Sequence, residues 1–304
     1  MKSCSPLLRV SFASLALCLP LHAELLTGVT TTGNLVSFDS ATPGTPITTT
    51  AVTGLQTGET LLGIDRRPQT GALYGLGSTS RLYLINPTTG AATEVGSAGA
   101  FTLSGTAFGF DFNPVVDRIR VASNTGQNLR LNPNDGTLVG TDTALAFAAG
   151  DPNAAATPRI VGSGYSNNSA GAPSTTLYDI DSNLDILTTQ GAPNGSPVSP
   201  NTGQLFTIGA LGFNTSDLAG FDISGLSGTA YAALTAPAGN ASQLFTINLA
   251  TGAATLVGTI GGGVPLADLA TLPGATAAPD AGSSLLLLSM GVAAVGVARR
   301  AFRR

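Results

Sequence analysis

Residues 81–97, RLYLINPTTGAATEVGS, and residues 243–259, QLFTINLATGAATLVGT, decide how this chain folds, because they are one unit written twice. Each is an alternating strand, a turn carrying Thr-Gly and a second alternating strand, the signature of a β-hairpin. Weaker copies stand at 34–54, NLVSFDSATPGTPITTTAVTG, and at 128–142, NLRLNPNDGTLVGTD. Each hairpin follows another short strand: ELLTGVTT from Glu24, ALYGLGS from Ala72, RIRVAS from Arg118 and TAYAALT from Thr229. Ahead of that strand comes a fourth, of Gly-aliphatic or Gly-aromatic type, in LLGIDRRP from Leu61, AFGFDFNP from Ala107 and LAGFDIS from Leu218. Four short strands recurring at a period of about 47 residues predict the blades of a β-propeller.

The stretch from Arg159 to Phe213 admits two registers. TTLYDIDS from Thr175 reads as a third strand or as a second. The latter gives RIVGSGYSN, TTLYDIDS, LDILTTQG and QLFTIGALG in order and fills a blade without an insertion. The expected fold class is therefore all-β, a five-bladed β-propeller of four-stranded blades. The body starts on a second strand and leaves one strand over at its end, PLADLATLP from Pro265. That strand is expected in the innermost place of the first blade, closing the ring and removing an open sheet edge. A two-sheet sandwich accommodates the strands but not the period.

Composition bounds the chemistry. The chain of 304 residues holds 39 Gly and 18 Pro, with 43% hydrophobic and 10% charged residues, which suits a turn-rich protein with a well-filled interior. From Ala23 onward it has no Cys, His, Trp or Lys. Zinc sites built on Cys or His, nucleophiles activated by His and disulfide staples lack their atoms. Carboxylate, hydroxyl, amide, Arg and Tyr chemistry remains. Between Glu24 and Ala278 sixteen acids face seven Arg, a net charge of −9, which repels phosphate backbones and argues against a nucleic-acid partner.

The two ends read as addresses. Lys2 and Arg9, the apolar VSFASLALCLPL and a cleavage point after Ala23 make residues 1–23 an export signal, with Cys18 as a rival lipoprotein-type site. The propeller is expected over residues 24–274, followed by a linker and tail over 275–304. In that tail the uncharged run from Ser283 to Ala298 has sixteen residues. As a helix it spans about 24 Å, short for a hydrocarbon core of about 30 Å. Arg299, Arg300, Arg303 and Arg304 would stay cytoplasmic, with the body outside. Pro279, Asp280, Gly282 and Ser283, the apolar run and the Arg299–Arg300 cluster resemble the three-part sorting tails of the PEP-CTERM type, notably its Val-Pro-Asp-Ser-Gly variant. Ala278 stands for the Val and Ala281 for the Ser. The resemblance implies an exosortase-like processing enzyme as partner, transient anchoring in the inner membrane and a final place at the cell surface or outside the cell. An uncleaved tail anchor is the plainer alternative. The body itself is expected to be monomeric.

The stretches GIDRRPQTGALYGLGSTSRLYLINPTTGAATEVG, FTLSGTAFGFDFNPVVDRIRVASNTGQNLRLNPNDG and TTLYDIDSNLDILTTQG are similar to the bacterial family called domain of unknown function 4394, across essentially the whole body. That family supplies no established activity and no catalytic residues.

Three sets of candidate residues follow from the pattern. The innermost strands place an acid at matching positions, Asp65, Asp111, Asp222 and Asp268, with Gly164 in the remaining blade. In a closed ring these face one axial channel, as a collar for a cation or, with raised pKa values, as the acid and base of a glycan hydrolase or lyase. The alternative is that each Asp ends its strand by bonding the backbone of its own following turn. Next, DIDSNLD places Asp179, Asp181, Asn183 and Asp185 at alternate positions, like the first half of a Ca²⁺ loop. Leu184 stands where such a loop needs Gly and Gln190 where it needs an acid, and a hairpin turn is the alternative. Lastly, Arg66, Arg67, Arg118, Arg120 and Arg130 suggest an anion site or, from their alternation, salt-bridged faces. GTIGGGVP from Gly258 lacks the Lys of a phosphate loop and reads as the link to the closing strand. With no Trp and five Tyr, tight sugar stacking is disfavoured. No cofactor is required apart from that possible Ca²⁺. The expectation is a non-enzymatic binding or structural module for a polysaccharide or a surface protein, with the carboxylate glycan hydrolase or lyase as the alternative.

Overall fold

The computed structural model describes residues 23–263 and 265–274. Blade 1 contains β1 (Leu25–Thr30), β2 (Asn34–Asp39) and β3 (Pro46–Ala51). Blade 2 is β4 (Leu61–Arg66), β5 (Leu73–Gly77), β6 (Arg81–Ile85) and β7 (Ala92–Val95). Blade 3 is β8 (Phe108–Asn113), β9 (Arg118–Ser123), β10 (Asn128–Leu131) and β11 (Leu138–Thr141). After the two-residue β12 (Ala146–Phe147), blade 4 runs through β13 (Ile160–Tyr165), β14 (Leu177–Asp181), β15 (Ile186–Gln190) and β16 (Gln204–Ala210). Blade 5 is β17 (Ala219–Ile223), β18 (Ala230–Leu234), β19 (Gln243–Ile247) and β20 (Ala254–Thr259). The last strand, β21 (Leu266–Ala270), lies antiparallel to β1, with Thr27 opposite Ala270 and Val29 opposite Asp268. Blade 1 therefore has the order β21-β1-β2-β3, and the five sheets close a propeller as expected. The stretch from Arg159 takes the second of its two registers. One strand was not foreseen: β12 runs parallel to β16, Ala146 opposite Gln204, as a fifth strand on the outer edge of blade 4.

The repeated hairpin owes its turn to two residues. Asn86 accepts the N–H groups of Thr88 and Thr89 on Oδ1, and Asn248 accepts those of Ala250 and Thr251, an Asx-type turn that Gly90 and Gly252 complete at φ of 73° and 82°. The apolar faces of the strands pack between blades. Five buried clusters fill the five interfaces among the described residues. Tyr74, Leu76 and Leu82 of blade 2, for example, meet Phe108, Phe110, Phe112 and Val121 of blade 3. The inner strands β13 and β17 are buried throughout and β4, β8 and β21 mostly so, whereas the outermost β3, β11 and β20 have no buried residue.

Near the axis the blades approach too closely for side chains. A Cβ added at Gly63 would lie 2.6 Å from Phe110 Cβ, at Gly109 2.0 Å from Ser163 Oγ, at Gly162 2.9 Å from Phe221 Cβ, and at Gly220 2.4 Å from the Leu269 nitrogen. Each of these glycines sits two residues before the position of the predicted axial acid, so glycine and acid share a strand face.

The export signal, except Ala23, and the tail features at Pro279, Asp280, Gly282, Ser283, Arg299 and Arg300 lie outside the described residues. Among the described residues no helix is long and apolar enough to cross a membrane.

The glycine contacts predict a graded outcome. Gly220→Ala forces backbone against backbone and should lower the melting temperature by about 10 °C or prevent folding, since a loss of ~3–4 kcal/mol shifts a domain of this size by that much. Gly164→Ala meets only side-chain atoms, the Phe221 ring at 3.1 Å and Ile223 Cγ1 at 3.3 Å, and should cost no more than a few degrees. Circular-dichroism melts of the two variants, if equal, would refute the close-approach account.

Candidate functional site

Each axial acid lies at or near the end of an inner strand, on the face turned to the next blade in chain order. Asp268 Oδ2 accepts the N–H of Ile64 in blade 2 at 2.9 Å, Asp65 Oδ2 that of Phe112 in blade 3 at 2.8 Å, and Asp111 Oδ1 that of Tyr165 in blade 4 at 3.1 Å. Blade 4 has Gly164 at the equivalent place, and Asn168 supplies its link, donating from Nδ2 to the Ile223 carbonyl of blade 5 at 3.3 Å. Asp222 Oδ2 then accepts the N–H of Thr271, just past β21, at 2.6 Å. The expected bond from each Asp to the backbone of its own following turn is not seen; the local bonds go to the next residue of the same strand. Asp65, Asp222 and Asp268 each also accept the N–H of the following residue, at 2.6 to 2.8 Å. The bond to the neighbouring blade is the larger structural fact.

The structure brings Asp65, Asp111 and Asp222 together, with one carboxylate oxygen of each within 4.8 Å of the others. Asp268 belongs to the same ring but lies outside that group. All four are at most 3% exposed. Burial pushes all four carboxyls above the ordinary range, and the neighbouring acids add to this for Asp65, Asp111 and Asp268, while the backbone N–H donors oppose it. Arg66 is the cationic side chain facing the group: burial draws its pKa down, against the charges of Asp65 and Asp222. A glycan hydrolase needs two carboxyls reached by a sugar and by water. Here they are sealed between strands, and the chemistry open to them is to hold protons, a cation and each other's blades.

DIDSNLD forms the β14–β15 hairpin turn. Asp181 Oδ1 accepts the N–H groups of Asn183 and Leu184, and its Oδ2 that of Arg159. Asp179 accepts from Ser163 Oγ at 2.6 Å, Asn183 donates to the Thr157 carbonyl, and Asp185, at φ 54°, accepts the N–H of Thr215. The four oxygens are thus dispersed over separate partners rather than gathered as a Ca²⁺ loop would hold them.

A second place was only half legible. Asp111, Arg120, Arg130 and Gly140 stand opposite one another across blade 3, a radial row on the face turned to blade 4. Arg120 and Arg130 of this row line a cavity of about 390 Å³ together with Arg118, Asn113, Tyr165 and Asn201. Arg120 is 2% exposed. It donates to Asn128 Oδ1 at 2.5 Å, Asp142 Oδ2 at 2.7 Å and Asn201 Oδ1 at 2.7 Å, and its Nε has no partner. Burial works against its charge, but the Tyr165 phenol and Asp142 outweigh that and raise its pKa. Arg130 pairs with both oxygens of the same Asp142 at 2.8 Å. The salt-bridged faces expected of the arginines are present here and at Arg67–Asp117. The convergence of three arginines could be found only once the strand register was known.

The family model described as Domain of unknown function (DUF4394) matches residues 34–270. A search of curated proteins finds no match. Among solved structures the chain is similar to one in the crystal structure of a nidogen/laminin complex, with 11% identity and a TM-score of 0.47 over 83% of this chain and 100% of that one. It is also similar to a protein from Lactobacillus plantarum, with 16% identity and a TM-score of 0.38 over 79% of this chain and 67% of that one.

Asp179 gives a pH test away from the axis. Burial pushes its carboxyl up to about 7, against about 3.9 in an unfolded chain. Its stabilising contribution is complete below pH ~4 and is lost as pH rises through about 7. Asp142 goes the other way: burial works against its charge, but Arg130 and Arg120 hold it below the ordinary range, so its window closes below pH ~4. Between pH 5 and 8 wild type should lose several degrees of melting temperature, and Asp179→Asn should lose less. A difference between the two proteins that stays constant over that range contradicts the assignment.

Proposed function

The chain belongs to the DUF4394 family, and from that premise we propose that it is an exported, non-enzymatic β-propeller of the cell surface or extracellular matrix that binds a polysaccharide. One observation carries the reading: the cavity between blades 3 and 4 gathers Arg118, Arg120 and Arg130, three of the seven arginines in a body of net charge −9. Asp142 offsets part of that charge, leaving a local excess of positive charge beside Asn113, Asn201 and the unpartnered Arg120 Nε. Guanidinium forks suit carboxylate recognition, and Asn side chains suit hydroxyls. The surrounding negative charge repels a dense polyanion. The ligand class is therefore a polysaccharide bearing isolated carboxylates, with a uronate unit at the cavity.

Export and processing rest on the end sequences. Residues 1–23 read as a signal, and the tail, with an exosortase-like enzyme as its processing partner, as a sorting element that holds the protein in the inner membrane until cleavage. The sealed state of Asp65, Asp111, Asp222 and Asp268 speaks for the binding role over the hydrolase or lyase.

Titration calorimetry of the purified protein with sugar oligomers carrying one uronate, and with their neutral counterparts, tests the binding reading. Affinity should be higher for the acidic oligomer, fall with salt, and drop at least about tenfold in Arg130→Gln, since a charge-assisted hydrogen bond is worth about 1.5–3 kcal/mol. Equal affinity for both oligomers, or new reducing ends during incubation, would count against it.

A further inference from the structure

We propose that one Ca²⁺ ion sits on the propeller axis, held by carboxylate oxygens of Asp65, Asp111 and Asp222, and fastens three blades to one another. The inference stands apart from the binding function above and uses none of its residues. The three oxygens come from β4, β8 and β17 and lie within 4.8 Å of one another. Oxygens on a single Ca²⁺, each about 2.3–2.6 Å from it, are at most about 5 Å apart, and these three fall within that limit. The N–H groups of Arg66, Phe112, Tyr165, Ile223 and Thr271 fix the carboxylates in place. Each carboxylate oxygen has two lone pairs, so one that accepts a single N–H still has a pair for an ion. Outer donors of this kind orient the ligands of metal centres.

A second observation does not depend on the clustering. Asp111 is 0% exposed, and its Oδ2 has no hydrogen-bond partner, although buried acceptors in native interiors are almost always matched. Its carboxyl belongs to the same close group as those of Asp65 and Asp222. Charge favours a cation there: the four axial acids, if ionised, and Arg66 beside them sum to −3, which one divalent ion reduces. Asp268 is not among the three whose oxygens come within 4.8 Å of one another. The donor set selects the metal. It is oxygen only, which disfavours zinc, and it is enclosed, which disfavours Mg²⁺ with its retained waters and strict octahedron.

The test uses chelator-treated protein. Equilibrium dialysis against 1 mM Ca²⁺ followed by elemental analysis should give one ion per chain. The melting temperature should rise by about 5 °C or more with Ca²⁺, fall back with EGTA, and rise less with Mg²⁺. Terbium should bind in place of Ca²⁺ and be displaced by it. Asp111→Asn keeps the volume and the acceptor for Tyr165, and Asp65→Asn is the second variant. Each should weaken Ca²⁺ binding at least tenfold, while ion-free Asp111→Asn melts no lower than the ion-free wild type. Asp181→Asn should bind as wild type does. The proposal is overturned if wild type takes up no Ca²⁺ at 1 mM, if both axial variants bind normally, or if Asp181→Asn abolishes binding.

Discussion

The inner strand of every blade is an edge strand: one side pairs with the second strand, and the other faces the axis with N–H groups that no strand completes. Open sheets tolerate such groups at a wet boundary, but here the axial acids are buried. In blades 2, 3 and 5 the chain answers with glycine and aspartate two residues apart on one strand face, while β21 has Leu266 before Asp268 and β13 has Gly162 before Gly164. Glycine lets neighbouring inner strands come within backbone contact, as at Gly220 against Leu269, and aspartate spans the space so created to accept the free N–H of the next blade. Ile64, Phe112, Tyr165 and Thr271 are all satisfied in this way. The same short distance that excludes a Cβ brings a carboxylate within hydrogen-bond reach, so the two residue types form a single device.

That device has a cost, and the closing strand shows how it is offset. Burial disfavours the charge of every axial acid, and the donors recover part of the penalty. The driving force comes from the five apolar clusters between blades. β21 serves three needs at once: it pairs along β1, sends Leu266 and Leu269 into the cluster with Phe38 and Tyr231, and brings in Asp268, which fastens blade 1 to blade 2. A ring missing this strand would lose a sheet edge, a core segment and an axial link together. For that reason a strand at the far end of the body belongs to the first blade.

What could be read from the amino acids follows the range of the interactions. The hairpins, the period and the closing strand are legible because alternation and Asn…Gly turns are local, and because five blades leave one unpaired strand at each end. The shared position of Asp65, Asp111, Asp222 and Asp268 was visible for the same reason. Their bonding was not, since a hydrogen bond to the next blade depends on ring curvature, which no stretch of sequence encodes. β12 escaped notice because two residues carry no period. DIDSNLD had the spacing of a metal loop, but spacing cannot tell whether oxygens turn inward or toward nearby N–H groups; Asp181 does the latter. Arg120 and Arg130 looked like ordinary surface charges until strand register set them opposite one another and opposite Asp111.

The repeats are not equivalent, and their divergence is concentrated at one interface. In blades 2 and 5 the axial acid stands opposite a tyrosine, Asp65 against Tyr74 and Asp222 against Tyr231. In blade 3 it stands opposite Arg120, and blade 4 has Gly164 where an acid would complete the ring. Asp111 is the axial acid with a single hydrogen-bonded oxygen, and its bond to Tyr165 is the longest in the ring. Beside it lie the arginine row, the cavity and the buried Asp179. Repetition alone would hold this interface as it holds the others. Polar groups that burial makes costly and that the repeat does not require are found here at the axis and at the rim, where structural stability alone does not account for them.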